Sequence, residues 1–201
     1  MGEDWIAECR RLERGHRFDP LGRQAWQTYA DPAPPPLSLD EVREAEAQLG
    51  ITFPDEYRDH LLRAGAGGRI NRLRRGEQGW GWACDRDTNY DLLAEPFPHP
   101  DAYAAYEEEL DEREPPREDA AAWEAWDAEY GVLQERKTAG VVFLQEGGCG
   151  FSTLLVVTGP HRGEMWFDGR ATCDRILPLQ LHGRPVGFAE WIAHGANLVP
   201  W

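Results

Sequence analysis

Apolar residues recur along this chain at helical spacing first and at strand spacing later. Trp5, Ile6, Cys9 and Leu12 share one face of a short amphipathic helix. Trp26 and Tyr29 mark a weaker helical stretch. The run Asp31-Pro32-Ala33-Pro34-Pro35-Pro36 then forbids a helix and predicts an extended linker. The next helix carries a full set of start signals. Ser38 is placed to be the N-cap and Glu41, three residues on, completes a capping box. Leu37 and Val42 take the two positions of a hydrophobic staple. Val42, Ala45 and Leu49 line one face, and Gly50 suits the stop. Pro54 fits the first turn of a second helix with Tyr57, Leu61 and Leu62 as its stripe, ended by Gly65, Gly67 and Gly68.

Beyond these helices the pattern changes. Trp80-Gly81-Trp82 predicts the start of a strand, and Pro96, Pro98 and Pro100 punctuate the chain after it. Tyr103, Tyr106 and Leu110 precede a Pro115-Pro116 break, and Trp123, Trp126 and Tyr130 come after it at i, i+3, i+7. That spacing predicts two helices docked by aromatics. Val141–Leu144 and Leu154–Thr158 read as buried strands. Thr158–Gly163 is a hairpin connection, and Glu164–Phe167 is the returning strand. Asp168-Gly169 makes a turn, Ile176–Leu181 reads as a last strand, and Phe188, Trp191 and Ile192 define a closing helix. Helices first, then strands joined by tight turns, predict an α+β fold. It is read as a single domain whose mainly antiparallel sheet is flanked by helices, with an acidic helical insertion.

Composition narrows the classes. With 201 residues and 41% hydrophobic content the chain can bury a core without metal or disulfide staples. The formal charge of −15 disfavours direct nucleic acid binding and anionic membranes, and favours a basic protein partner. No apolar run reaches the roughly 18–20 residues that span a bilayer. The polar, acidic start MGEDWIAECR is unlike a signal peptide, so a cytoplasmic protein is expected. Cys9, Cys84, Cys149 and Cys173 form no CxxC pair and are expected as buried thiols rather than metal ligands.

Charge is concentrated. Residues 107–130 hold eleven Asp and Glu against Arg113 and Arg117, a net of −9. That exceeds what solubility requires and marks a candidate partner surface. Arg69, Arg72, Arg74 and Arg75 form a basic cluster in a Gly-flanked loop that could bind phosphate or a carboxylate; a solvated loop, or one paired with the acidic insertion, is the favoured reading. Asp85-x-Asp87-x-Asn89-x-Asp91 begins like a calcium loop, but Tyr90 stands where the turn glycine belongs and Pro96 where the bidentate glutamate belongs. A solvated polar turn is expected, with no metal and no cofactor. Gly147-Gly148-Cys149-Gly150 lacks the Lys-Ser/Thr and helix of a phosphate loop and leads into a strand, so backbone freedom beside a sheet is its reading. No GxSxG elbow or HExxH spacing is present, and no catalytic residue is assigned.

Four stretches together resemble a known family. They are Leu39–Leu62 with its Leu49-Gly50-Ile51-x-Phe53-Pro54 step, running on to Gly67-Gly68; Gly140–Phe151 with Gly147-Gly148-Cys149-Gly150-Phe151; Leu154–Asp168 with Thr158-Gly159-Pro160-x-Arg162-Gly163; and Gly187–Ile192. In this order they are similar to the SUKH superfamily, which contains fungal cell-wall-synthesis and killer-toxin-resistance regulators and many bacterial immunity proteins. The resemblance implies an α+β fold and a binding protein rather than an enzyme. Two departures from its compact pattern stand out: residues 1–36, a helical extension with a Pro-rich linker, and an acidic insertion at about 100–137 within a core of 37–201.

Function is expected on that basis to be non-catalytic: an immunity protein that occludes a polymorphic or contact-dependent toxin, with a nuclease as the favoured target. Glu107, Glu108, Glu109, Asp111, Glu112 and Glu114 would attract it, with Trp123 and Trp126 as anchors if exposed, or as the residues that dock the insertion on the sheet. A regulatory or scaffold module binding an endogenous protein is the alternative. A third reading is a small-molecule binder or unrecognised enzyme using a groove near Gly147, Gly148, Gly150, Trp166 and Asp168.

Overall fold

The computed structural model describes residues 4–16, 35–63, 70–83, 85, 87–173 and 175–200. The stretch around Trp26 and Tyr29, most of the Pro-rich linker, Gly65, Gly67, Gly68, Arg69, Cys84 and the side chain of Cys173 lie outside them. Helix α1 (Trp5–Glu13) starts on Asp4, whose Oδ1 accepts from Ala7 N. Helix α2 (Leu39–Leu49) begins with the capping box its sequence announces: Glu41 N donates to Ser38 Oγ, and Ser38 N to Glu41 Oε2 at 2.7 Å. Gly50 closes it at φ +70°, a left-handed conformation that suits glycine. Pro54 precedes α3 (Asp55–Arg63), which buries Tyr57 and Leu61.

Strands β1 (Arg72–Gly76) and β2 (Gly79–Ala83) form an antiparallel ribbon. Arg72, Arg74 and Arg75 therefore lie on a strand and not in a loop. Arg72 is buried, and Arg75 pairs with Glu44 of α2 at 2.9 Å rather than with the acidic insertion. Leu73 and Trp82 supply apolar burial directly across the ribbon from one another, which overrides the poor strand signal of an arginine run. Asn71 ties this ribbon to the next strand, donating from N to Leu144 O and from Nδ2 to Phe143 O.

Strands β3 (Val141–Gly148), β4 (Phe151–Val156), β5 (Met165–Asp168) and β6 (Ile176–Pro178) make an antiparallel sheet in chain order. The predicted last strand is split. β6 ends at Pro178, Leu179 N still donates to Met165 O at 2.9 Å, and Gln180–Leu181 (β7) then pairs with Arg184–Pro185 (β8). Cys149 and Gly150 form the two-residue β3–β4 turn, with φ +55° and +79°, the conformation of a type I′ hairpin. Cys149 is exposed there, not buried as expected, and Cys9 is half-buried.

Both sheet faces are covered. Val142, Leu144, Leu155, Met165 and Phe167 enter a large core with α2, α3, the ribbon and the closing helix α7 (Phe188–Ala193), which comes after a single turn of helix, α6 (Arg170–Cys173). Val141, Phe143, Leu154, Val156, Trp166 and Ile176 gather on the other face with Phe97. Two long-range contacts explain the most specific motifs. Arg162 of the β4–β5 connection donates to Thr52 O at 3.2 Å and Phe53 O at 2.5 Å, locking that hairpin to the turn between α2 and α3. Glu56 of α3 accepts from Ala189 N at 2.9 Å and so serves the start of α7.

The acidic region forms α4 (Ala104–Glu112) and α5 (Ala120–Arg136), preceded by a 3₁₀ turn at Pro100–Tyr103. Helix α5 packs along α1, where Leu12, Leu92, Val132 and Ala139 make a third cluster.

The Asp85–Asp91 turn is solvated only in part: Asp87 and Asp91 are exposed, but Asp85, Thr88 and Asn89 are built into the interior. Asp85 Oδ1 accepts from Asp87 N and Thr88 N at 3.0 Å each, Thr88 Oγ1 accepts from Phe143 N, and Asn89 Nδ2 donates to Leu12 O. Burial pushes the Asp85 carboxyl up to about 6, against the pull of these hydrogen bonds.

This packing makes two predictions about stability. Gly140 sits at φ +68°, where a Cβ would strike Thr158 Oγ1 and the backbone of Glu95 and Phe97. Gly140→Ala should lower stability by at least the ~1–3 kcal/mol of backbone strain, read as a fall in the urea midpoint. For Asp85 the folded state holds its proton more tightly than the unfolded chain does. Its ionisation therefore removes stability as pH rises from about 4 through 6. Asp85→Asn keeps the Oδ1 acceptor without the charge. It should match the wild type near pH 4 and exceed it by about 3 kcal/mol near pH 7.5. A difference in unfolding free energy that is flat with pH would contradict this.

Candidate functional site

The acidic helices sort their carboxylates into two sets. The inward set is consumed by the fold. Glu107 is half-buried and accepts from Lys137 Nζ at 2.7 and 2.8 Å. Lys137 is the chain's one lysine, and its side chain is 4% exposed. Glu129 is buried. It accepts from Arg113 Nη2 at 2.8 Å and from the Tyr106 hydroxyl. Burial works to raise Glu129, but these bonds outweigh it and hold the carboxyl below its ordinary value. Glu108, Glu109, Asp111, Glu112 and Glu114 form the outward set and are exposed. Only Glu109 among these five has a basic neighbour among the described residues, Arg113 at 3.7 Å, in a solvent-exposed pair that contributes little.

Trp126 joins the two acidic helices to each other, donating from Nε1 to Leu110 O at 2.8 Å. Trp123, Trp126 and Tyr130 stack in sequence along α5 at 5.1 and 5.5 Å between centroids, and Arg117 lies 5.0 Å over Trp123. All three rings are half-buried.

Beside the same helix, a groove of about 500 Å³ runs between the end of α5 and the second face of the sheet. Its floor lies where the apolar residues of that face give way to Ser152, Glu146 and Asp168. Four carboxylates line it, Asp87, Glu135, Glu146 and Asp168, against His16 and Arg170. Arg170 is already committed, donating to Asp168 Oδ2 at 2.6 Å and to Gln134 O at 2.8 Å. His16 and Asn89 both donate to Glu135, each at 2.8 Å. The Glu135 hydrogen bond raises His16 above its ordinary value despite burial. Burial works to raise Glu135 too, but the bonds from His16 and Asn89 prevail and lower it. Partial burial raises Asp87, and the charges of Glu146 and Asp168 add to that. The groove therefore has the electrostatics to receive a cationic side chain.

Of the groove residues expected from sequence, Gly150 and Asp168 line it. Gly147 and Gly148 belong to the β3–β4 hairpin outside it. Trp166 is buried in the second apolar cluster, edge-on to Phe97 at 5.1 Å. Sequence reasoning missed His16, Glu135, Glu146 and Arg170. His16 and Glu135 lie 119 positions apart, and only folding unites them. The turn that carries Asp87 and Asn89 is visible as a motif, but its polarity points to solvent, and the structure leaves Asp87 exposed while turning Asn89 inward.

A family model described as SMI1 / KNR4 family (SUKH-1) matches residues 36–175. No curated protein and no solved structure matches the chain. The matched span opens just before the capping segment of α2. It takes in the locked α2–α3 turn, the ribbon, both acidic helices and the sheet through Asp168. With well over half the chain inside that span, this protein belongs to the SMI1/KNR4 family (SUKH-1).

Proposed function

We propose that this chain is a protein-binding immunity factor that neutralises a basic toxin domain, a nuclease, by covering it. Membership of the family is consistent with a binding role of the immunity or regulatory kind. The observation that carries the reading is the division of carboxylates on α4. Glu107 is held inward by Lys137, while Glu108, Glu109, Asp111, Glu112 and Glu114 face solvent. A fold that needed these residues for its own stability would have paired them. Left outward, they create a field that raises encounter rates with a cationic surface by ~10–1,000-fold at low salt. The acidic groove beside α5 extends the same potential and offers a recess for a basic side chain. A surface of this sign competes for the residues with which a nuclease grips phosphate. Among the described residues no helix is long and apolar enough to cross a membrane.

The test begins with capture of the tagged chain from its native lysate at low salt. The expected partner is a basic domain that elutes as salt rises and whose toxicity in cells is suppressed by co-expression. Replacing Glu108, Glu109, Asp111 and Glu112 together by Gln should slow association about tenfold or more at low salt and flatten its salt dependence. An association rate unchanged at low salt would remove α4 from the interface. Glu107→Gln is the counterpart. It strands the buried Lys137 charge, so it should cost about 1–3 kcal/mol of stability, seen as a lower urea midpoint, with the salt dependence of binding intact.

A further inference from the structure

A second pocket, of about 300 Å³, lies between the segment leading into α2, helix α3 and strand β1. None of its lining residues comes from α4 or α5, so it is independent of the acidic surface. Leu37, Leu61, Ile70 and Leu73 give it apolar walls. Four other lining residues carry buried nitrogen atoms with no hydrogen-bond partner among the described residues: His60 Nε2, Arg72 Nε and Nη1, Arg74 Nε and Trp80 Nε1. Five of the nine unpartnered buried side-chain polar atoms among the described residues thus belong to the lining of this one pocket. Arg72 is 7% exposed and Trp80 2%.

A guanidinium this deep without a counter-charge is a costly arrangement, because Arg does not shed its proton. Nearby acids are occupied. Glu41, the carboxylate in the pocket lining, accepts from Ser38 N and Oγ at 2.7 Å each in the α2 cap. Glu44 pairs with Arg75. No ion pair among the described residues reaches Arg72 or Arg74. Burial holds His60 below its ordinary value, so at neutral pH its ring is uncharged and the positive charge comes from the arginines.

We propose that this pocket binds a small-molecule carboxylate with an apolar body, its anion meeting Arg72 and its body meeting Leu37, Leu61 and Leu73. A planar monoanion suits a guanidinium, and a volume near 300 Å³ is at the small end of ligand sites. A carboxylate fits better than a phosphate. The walls reward an apolar body, and the chain's net −15 opposes a divalent anion more than a monovalent one.

The experiment titrates the full chain with 4-methylpentanoate, with its uncharged amide and with inorganic phosphate. It tracks the Arg72 Nε–H and Trp80 indole N–H resonances, assigned by their loss in Arg72→Lys and Trp80→Phe. The expected result is a saturable shift of both signals by the carboxylate at or below the order of millimolar, with the amide at least about tenfold weaker. Arg72→Met should abolish the shift of Trp80. If that variant does not fold, Arg72→Lys replaces it and should bind several-fold more weakly, because an ammonium does not reproduce the guanidinium's donors. The proposal is overturned if the carboxylate gives no saturable shift up to tens of millimolar. Equal binding of acid and amide, wild-type affinity in Arg72→Lys, or phosphate saturating first would each overturn it as well.

Discussion

Strand β3 places Val141, Val142, Phe143 and Leu144 in unbroken succession, and alternate residues point to opposite faces of the sheet. Neighbouring strands repeat the pattern. Leu155, Met165 and Phe167 go one way, and Leu154, Val156 and Trp166 the other. A sheet apolar on both faces cannot leave either in water, since each large apolar side chain gains about 1.5–3 kcal/mol from full burial. Two covering layers are therefore obligatory. One is α2, α3, α7 and the β1–β2 ribbon, held in place by Arg162 on the Thr52 and Phe53 carbonyls and by Glu56 at the start of α7. On the other face Phe97 joins the apolar cluster, with His99 and His161 against Trp166.

Helices α1 and α5 make a separate packed layer around Leu12, Leu92, Val132 and Ala139, and it explains the chemistry of the acidic region. Helix α5 has a structural side, where Val132 and Leu133 are buried and Glu135 collects His16 and Asn89. Helix α4 has almost none. Leu110 is its single buried residue, and it is held by Trp126, by the Lys137 pair and by Glu129 acting through Tyr106 and Arg113. A helix tethered by so few groups has most of its surface free to carry charge. Where the apolar part of the sheet's second face runs out, Glu146, Ser152 and Asp168 take over and the groove begins. The boundary between core and candidate site is thus a boundary within single strands. It lies between Leu154 and Ser152 in β4, and between Trp166 and Asp168 in β5.

What could be read from sequence was whatever has a local code. Ser38 and Glu41 satisfy backbone groups three residues away. Gly50 supplies a left-handed stop, and Gly159 with Gly163 flanks a hairpin connection. Each is fixed by neighbours in the chain, so each was legible. The ribbon strand β1 was not, because four arginines in seven positions look solvated. Its burial comes from Trp82 and Leu144, which no local pattern connects to Arg72. The Asp85–Asn89 turn misleads for the mirror reason. Its polar groups look like surface chemistry but point inward, to Leu12 O, Phe143 N and Glu135. The groove depends on pairings across 46 and 119 positions, and spacing says nothing about those.

Helix α1, which precedes the matched span, and helix α5, which lies within it, pack against each other. Leu12 of α1 and Val132 of α5 share one apolar cluster. Beyond their shared apolar cluster they exchange polar contacts. Arg136 donates to Glu8 at 3.4 Å and lies 6.0 Å over the Trp5 ring, and His16 meets Glu135 just past the end of α1. Asn89 joins both to the body, donating to Leu12 O and to Glu135 while its backbone pairs with His16. The helix ends approach closely: a Cβ on Gly15 would strike Asn89, and one on Gly131 would lie 3.2 Å from Cys9 Sγ. Alone, a nine-residue helix is marginal in water. Helix α5 without α1 would expose Val132. Each element supplies what the other lacks, so α1 and α5 stand or fall as one cooperative layer. The groove sits on that layer, with His16 from one and Gln134 and Glu135 from the other, so its shape is set by how tightly the two helices hold together.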